Sequence, residues 1–351
     1  MATLISQPSQ TCFSSVVEDI VFNTASESGI LVLTIVQGGN RQIVIEETMY
    51  PSIDGSIVIS DVSSLVEPYA KEHMQVTLEC TFTDDAGAAS ITPVTVLYAM
   101  ADVGTTASEF IENHFLTILD GEKITAPGRE ERLYAYGTST VTVTAEVETA
   151  AGAFTTMMAE LNAGSVVGSL AQFVVSPDNI AALIGLAGGR LLGYTVEAGS
   201  RRQHFRCFED QVPPAPSLLF VNSFGCEEFI HCVGTHKKAS KYERKSARIK
   251  SRLRNYRVTE DRQFTANTGW LNEAMADWAD DLFRSEEVYL WVDGQRGREV
   301  VVSDSKSEIT NEDDNMPAFE FTYSYAQRIH NVMQPGRAGR IFDNTFDHTF
   351  N

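Results

Sequence analysis

The sequence lacks several features that would place it in a common class of protein. No stretch approaches the ~20 consecutive apolar residues needed to cross a bilayer. The first twelve residues have neither a basic start nor a long apolar run, so we expect no signal peptide. Cysteine is scarce, and its odd count has no framework spacing: Cys12, Cys80, Cys207, Cys226 and Cys232. We therefore expect reduced thiols in a protein made in the cytoplasm.

Catalytic signatures are also missing. The chain has no G-x-S-x-G elbow, no H-E-x-x-H pair and no Walker phosphate loop. Carboxylates are numerous, but no two stand out as an acid and a base. The glycines Gly185, Gly188 and Gly189 follow a predicted helix, so they indicate a helix end and a turn, because a dinucleotide loop precedes its helix. Enzyme activity therefore has no positive support in the sequence. An enzyme fused to β modules remains an alternative, but no group of candidate catalytic residues in the sequence supports it.

Basic residues are outnumbered and unevenly placed. Lysine and arginine total 27 against 47 acidic residues, and the net charge of −20 argues against general nucleic-acid binding. Ten of the 27 lie in the 21 positions 237–257, where Glu243 is the only acid. A solvated face or a nucleic-acid contact would fit this stretch. An interface with an acidic neighbouring copy is favoured, because acidic copies otherwise repel one another. The predicted interface residues are Arg248, Lys250, Arg252 and Arg254.

Hydrophobic patterning predicts a mainly-β chain with one α+β module. Short alternating runs separated by turns predict an N-terminal β-sandwich over residues 1–102. A middle β-rich domain is expected over residues 103–215, including a polar loop at 121–131. The prolines at 213–216 form a stiff joint before a C-terminal α+β domain over residues 216–335. Whether residues 103–335 form one domain or two stays open at this stage.

The α+β module is centred on residues 262–302. A helix with Asn267 or Thr268 as its cap is predicted, followed by a hairpin that reverses at Asp293-Gly294. Its apolar stripe is Leu271, Met275, Trp278 and Leu282, and the acids predicted to face away are Glu273, Asp277, Asp280 and Asp281. The basic residues 242–256, just before it, alternate weakly and fit either a strand or a helix.

Two clusters have the side-chain chemistry of metal ligands. Cys226, His231, Cys232 and His236 invite a zinc interpretation. In a strand, however, His231 and Cys232 point to opposite faces, so buried cysteines beside ordinary histidines are favoured and no metal site is predicted. The acids 312–314 lack calcium-ligand spacing and indicate a solvated loop.

Several segments resemble virion proteins of phages and prophages of Bacteroides-type bacteria. The resemblance rests on Tyr50-Pro51 with Asp54-Gly55, on the order 220–225 with Glu228, on 262–264, and on 319–323. The layout of hairpins with one helix laid across a sheet is similar to the tail-tube-like domain of siphophage distal-tail and hub proteins. The resemblance covers most of the chain. It rests on the pattern of residues along the sequence more than on invariant residues with a chemical role.

The resemblance implies a structural subunit repeated in a ring at the tail tip or baseplate. Its partners would be other copies of itself and neighbouring virion proteins, in a virion assembled in the host cytoplasm, with no cofactor and no membrane. An acidic lumen would let DNA pass without sticking. A capsid or connector position is an alternative, and so is a carbohydrate-binding adhesin that displays Tyr50, Tyr134 and Tyr136 to a sugar.

The C-terminal residues 336–351 form a candidate arm. Phe342, Phe346 and Phe350 recur every four residues after two glycines, Gly336 and Gly339. A solvated terminus would be polar, so the three rings predict docking onto an apolar surface, in preference on a neighbouring copy. The alternative is a terminal strand packed on its own domain.

Truncation after Gly336 is expected to abolish assembly while leaving the melting temperature of the monomer unchanged. Each buried phenylalanine contributes about 1.5–3 kcal/mol to whatever contact it makes. Light scattering and thermal unfolding of the truncated and full chains measure the two effects. Loss of monomer stability alone would instead indicate a strand packed on its own domain, and no change in either would contradict both interpretations.

Overall fold

The chain folds into two compact, mainly-β units in the computed structural model, which describes residues 1–208, 215–306 and 316–327. Strands hold 52% of the described residues and helices 13%, so the predicted mainly-β class is confirmed. The first unit comprises Met1–His114 with Ser223–Gly225, and the second comprises Phe115–Asn222 with the residues from Cys226 onward. The division between the units lies after His114, and residue 215 lies inside the second unit.

The first unit contains nine strands and two helices in its described residues. In chain order they are β1 (Thr3–Ser6), β2 (Thr11–Phe13), β3 (Ile20–Asn23), β4 (Gly29–Gln37), β5 (Asn40–Met49), β6 (Ser56–Ile59), α1 (Val62–His73), β7 (Gln75–Asp84), β8 (Gly87–Ser90), β9 (Val94–Leu97) and α2 (Ala107–Asn113).

Two sheets of the first unit share one core. The smaller has the order β1-β3-β6, and the larger has the order β2-β9-β7-β4-β5, with β8 paired to β7. Strand β7 alternates buried and half-buried residues along its length, the period-2 pattern of a strand with one face in a core. Phe22 of the small sheet and Phe82 of the large sheet have ring centroids 5.8 Å apart. The two sheets therefore pack face to face, with α1 adding Val62, Val66 and Ala70 to the same core.

The second unit contains fifteen strands and two helices in its described residues. In chain order they are β10 (Glu122–Thr125), β11 (Arg132–Tyr136), β12 (Thr140–Glu148), β13 (Phe154–Asn162), β14 (Ser165–Val167), β15 (Leu170–Val174), α3 (Pro177–Leu183), β16 (Arg190–Ala198), β17 (Arg201–Cys207), β18 (Ser217–Val221), β19 (Glu227–His231), β20 (His236–Ile249), β21 (Arg252–Asn267), α4 (Glu273–Arg284), β22 (Val288–Val292), β23 (Gln295–Lys306) and β24 (Glu320–Tyr325).

Three sheets build the second unit around two cores. The orders are β10-β17-β16-β12-β13, β11-β15-β14 and β19-β18-β22-β23-β24-β21-β20. The first two sheets and α3 enclose one cluster of buried residues, and the seven-stranded sheet encloses the other with α4. The first core draws on residues 115–207, and all but Leu119 of the second lies beyond residue 217.

Helix α4 lies on the seven-stranded sheet through the predicted stripe. Met275, Trp278 and Leu282 are buried on α4, as the helical spacing predicts, and Leu271 is also buried but precedes the helix, which begins at Glu273. The cap is Asn272, whose Oδ1 accepts from the Met275 N–H at 2.8 Å.

Two details of the α4 prediction are wrong. Asn267 and Thr268 do not cap the helix, because Asn267 ends β21 in register with Glu320 and the Thr268 hydroxyl accepts from the Phe319 N–H. Asp281 does not face solvent. It is buried, because the face of α4 that packs inward is wider than the stripe and includes Ala276 and Ala279.

Replacing Trp278 by alanine is expected to cost about 3–5 kcal/mol of unfolding free energy, because the indole is fully buried and its loss leaves a cavity. Trp270→Ala is the matched control, since that side chain is 75% exposed and its loss is worth about 0.5 kcal/mol or less. Urea unfolding followed by tryptophan fluorescence reports on the second unit alone, because all three tryptophans lie in it. A cost below about 1 kcal/mol for Trp278→Ala would contradict a core role.

Candidate assembly surface

The basic stretch forms a long two-stranded hairpin. Strands β20 and β21 pair in register from His236↔Ala266 to Ile249↔Arg252. Strand β24 pairs only with the last five residues of β21, so the described part of the chain provides no third strand beside residues 241–261. At about 3.3 Å per residue, this two-stranded portion extends roughly 30 Å beyond the sheet. We call it the basic hairpin. The choice between strand and helix that the sequence left open is resolved as strand.

A two-residue turn closes the basic hairpin. Lys250 and Ser251 both have positive φ, 47° and 65°, which matches the primed turns that suit the twist of a hairpin. The turn brings the four predicted interface residues together at one end, because Arg248 pairs with Leu253 and Arg254 pairs with Ala247. All four of these basic side chains are exposed: Arg248, Lys250, Arg252 and Arg254.

The two faces of the basic hairpin differ in chemistry. Phe264 and Ala266 of β21 point into the core, and residues alternate outward from there. The face continuous with the core carries the exposed apolar side chains Tyr242, Leu253 and Val258, and it also carries Arg244 and Arg248. The opposite face carries Lys245, Arg252, Arg254 and Arg257. We call the first the core-side face and the second the basic face.

A polar network orders the base of the core-side face. The Arg262 Nε donates to Glu260 Oε1 at 2.9 Å, and this contact lowers the pKa of the Glu260 carboxyl. The Tyr242 hydroxyl donates to the same oxygen at 3.4 Å. The Arg244 guanidinium lies over the Tyr242 ring, 5.2 Å from its centroid, in cation–π geometry. Tyr242 is therefore held in place while remaining accessible.

The charge of the basic hairpin contrasts with that of the rest of the chain. Residues 237–257 have a formal charge of +9, and the remaining residues therefore have −29 within the total of −20. Such a separation favours contacts between this segment and acidic surfaces, and these contacts weaken as salt screens them.

Sequence reasoning missed a second feature, a buried charged cluster beneath α4. Residues 121–131, predicted as a polar loop, contain β10, and its Lys123 is buried with its Nζ 2.7 Å from Glu131 Oε2. The same Nζ donates to the Phe229 carbonyl at 3.1 Å and lies 4.3 Å from the centroid of the Trp278 ring. The indole Nε1–H donates to Glu228 Oε2. The only signal in the sequence was the presence of charged residues beside apolar strand residues, and many solvated loops share it.

The buried cluster holds more carboxylates than its lysine can balance. Burial raises the pKa of Glu228, the nearby charge of Asp281 raises it further, and Lys123 and the indole oppose the shift. Burial likewise raises the pKa of Glu131. The cluster is enclosed, and its contacts are to other members and to the backbone: Lys123 to Glu131 and to the Phe229 carbonyl, and the Trp278 indole to Glu228.

The cysteine and histidine group has separate partners. His231 Nε2 lies 3.0 Å from the Glu130 carbonyl oxygen, and burial lowers the pKa of the imidazole to about 3. His236 Nε2 lies 2.9 Å from a tyrosine hydroxyl. Cys226 and Cys232 are buried and form no disulfide bond, and burial raises the pKa of the Cys232 thiol to about 12. Within the described ranges, no group of three or more His, Cys, Asp or Glu side chains could hold a metal ion.

The structure places the remaining predicted residues as follows. Phe342, Phe346 and Phe350 of the C-terminal arm and the acids 312–314 lie outside the described residues. Of the tyrosines considered for sugar binding, Tyr50 is exposed and Tyr136 is buried. The Tyr134 hydroxyl accepts from Gln172 Nε2 at 2.8 Å, within the second unit.

The chain matches no protein-family model, and no curated protein matches it with significance. No helix in the described part of the chain has the length and apolar character of a membrane span.

Replacing Glu228 by glutamine is expected to remove part of the pH dependence of stability. Because the folded pKa of Glu228 is raised, the unfolded state releases its proton first as pH rises above about 4.5. The wild-type chain therefore loses unfolding free energy, relative to Glu228→Gln, from about pH 4.5 up to the folded pKa, and the difference is constant above it. Urea unfolding by tryptophan fluorescence at several pH values measures this difference.

Glu160→Gln is the control for the pH experiment, because Glu160 is exposed on β13 and the substitution is expected to leave the pH profile unchanged. A pH-independent difference between wild type and Glu228→Gln would mean that Lys123 and the indole fully offset the burial of the carboxylate.

Proposed function

We propose that the protein is a structural subunit of a phage virion, a ring-forming component of the tail tip or baseplate that assembles through the basic hairpin. The observation that carries this proposal is the hairpin itself. A two-stranded hairpin is marginally stable in water without a third strand or a packing surface. Residues 242–258 have neither in the described structure, and almost every described side chain among them is exposed. Covering this segment with another subunit stabilises it.

The charge distribution supports assembly with acidic partners. A segment of +9 on a chain that is otherwise −29 attracts the acidic surface of another copy, while the acidic surfaces alone repel one another. A symmetric ring of identical copies provides the attraction and offsets the repulsion, because each hairpin meets an acidic surface. An acidic subunit also suits a channel through which DNA passes without adhering.

The resemblance to phage virion proteins supports the structural role. Its segments include 220–225 and 262–264, which lie around and within strands of the seven-stranded sheet, and 319–323, which includes most of β24. In this proposal, these strands with α4 packed on them take the place of the hairpins and single helix of the tail-tube-like layout. In this role the protein acts through its surfaces, as part of a virion assembled in the host cytoplasm, with no catalytic step.

Reversing the charge of Arg248, Lys250, Arg252 and Arg254 to glutamate is expected to prevent assembly, because the tip of the hairpin would then repel an acidic partner. Light scattering gives the oligomeric state, and negative-stain electron microscopy shows whether the wild-type assembly is a ring. Raising the salt concentration is also expected to weaken assembly of the wild-type chain, because salt screens exposed charge pairs over about 8–10 Å.

The matched control reverses four exposed basic residues outside the hairpin, Arg41, Lys71, Arg284 and Arg298, and so changes the net charge equally. It is expected to assemble as the wild type does. Normal assembly of the hairpin variant at low salt would contradict the role of the hairpin. A wild-type chain that stays monomeric up to high concentration would contradict the proposed function as a whole.

A further inference from the structure

A second surface of the same unit complements the core-side face of the basic hairpin. It is the outer face of β12 and β13, at the edge of the five-stranded sheet. The residues Val141, Val143, Ala145 and Val147 of β12 point into the core, so the alternate residues of both strands point outward. We call this surface the β12–β13 face.

The β12–β13 face combines apolar and acidic side chains. Phe154 and Met158 are 73% and 70% exposed, four residues apart on one strand. Glu148 lies directly opposite Phe154, Glu146 opposite Thr156, and Glu160 opposite Thr142. These three glutamates are the only charged residues on the two strands. Large exposed apolar side chains on an edge strand without lysine or proline are typical of a surface that another chain covers.

From this match we infer that the core-side face of the basic hairpin of one copy docks on the β12–β13 face of the next copy. The inference rests on the proposed function and names the surface that the hairpin binds. Leu253, Val258 and Tyr242 would meet Phe154 and Met158, while Arg244 and Arg248 meet the glutamates. Both surfaces are exposed within a single chain, so the occupant of each is a second copy.

The type of the contact fits an assembly. The core-side face takes about half of residues 242–258, fewer than the 20–30 residues that one partner contributes to a standard protein interface. Because the two surfaces are different patches of one chain, the contact is heterologous, and repetition of it generates a closed ring or an open filament. It leaves the middle of the basic face, with Lys245 and Arg257, outside the contact.

Charge exchange tests the contact directly. Arg244→Glu with Arg248→Glu, and separately Glu146→Lys with Glu160→Lys, are each expected to weaken self-association about 10- to 100-fold, because like charges then face each other. All four substitutions in one chain are expected to restore association to near the wild-type level. Sedimentation or light scattering across a dilution series measures the dissociation constant.

The control uses the opposite side of the same hairpin. Lys245→Glu with Arg257→Glu changes the net charge as much as the Arg244 and Arg248 pair does, but it is expected to weaken association less than threefold, because this cross-strand pair lies on the basic face away from the tip. Combined with Glu146→Lys and Glu160→Lys, it is expected to give no rescue. Urea unfolding by tryptophan fluorescence confirms that each variant is folded, which is expected since all the substituted side chains are on exposed strand faces.

The outcomes separate this inference from the proposed function. Failure of the fourfold exchange to restore association, or equal rescue by the Lys245 and Arg257 pair, would overturn the docking on the β12–β13 face while assembly itself stands. Monomeric wild type at every concentration would overturn both.

Discussion

The second unit depends on the burial of one indole. Trp278 lies where α4 crosses the seven-stranded sheet, and its ring is tilted against Phe220 at a centroid distance of 5.6 Å. An indole N–H that leaves water needs an acceptor. Glu228 supplies it from β19, and a carboxylate in that position then needs compensating charge, which Lys123 supplies from β10. One apolar contact therefore fixes the positions of two charged side chains, Glu228 and Lys123, that are far apart in the sequence.

These contacts join elements of the fold that are far apart in the sequence. Lys123 contacts Glu131, the Phe229 carbonyl and the Trp278 ring at once, so β10 and the loop before β11 are tied to the sheet and helix that follow about a hundred residues later. Removing one member leaves a buried charge without its partner, at a cost of about 3–5 kcal/mol. The network thus imposes one arrangement of the second unit, since an alternative packing would have to satisfy the same charges.

The sequence predicts those features that depend on periodicity and misses those that depend on distant contacts. The stripe from Leu271 to Leu282 follows from helical spacing alone, and so does the mainly-β class from alternation. The cap at Asn272 was missed because the strand before it continues as far as Asn267, held by pairing with β24. Asp281 and Lys123 look solvated in sequence because charged residues usually are. Their burial becomes predictable only when β10, β19 and α4 are known to meet. The hairpin residues 242–256 were ambiguous because neither face is buried, so no apolar period marks them.

The exposure of the basic hairpin restricts the symmetry of any assembly it forms. An open strand pair can join an identical hairpin edge to edge, and natural proteins prevent this by placing charges, lysine above all, on such strands. Two basic hairpins would bring +9 against +9, so a two-fold contact between them is strongly disfavoured. A surface that is both apolar and acidic suits the hairpin better. Charge thereby disfavours a two-fold contact between hairpins and favours a contact with a different surface, as in the head-to-tail contacts from which rings are built.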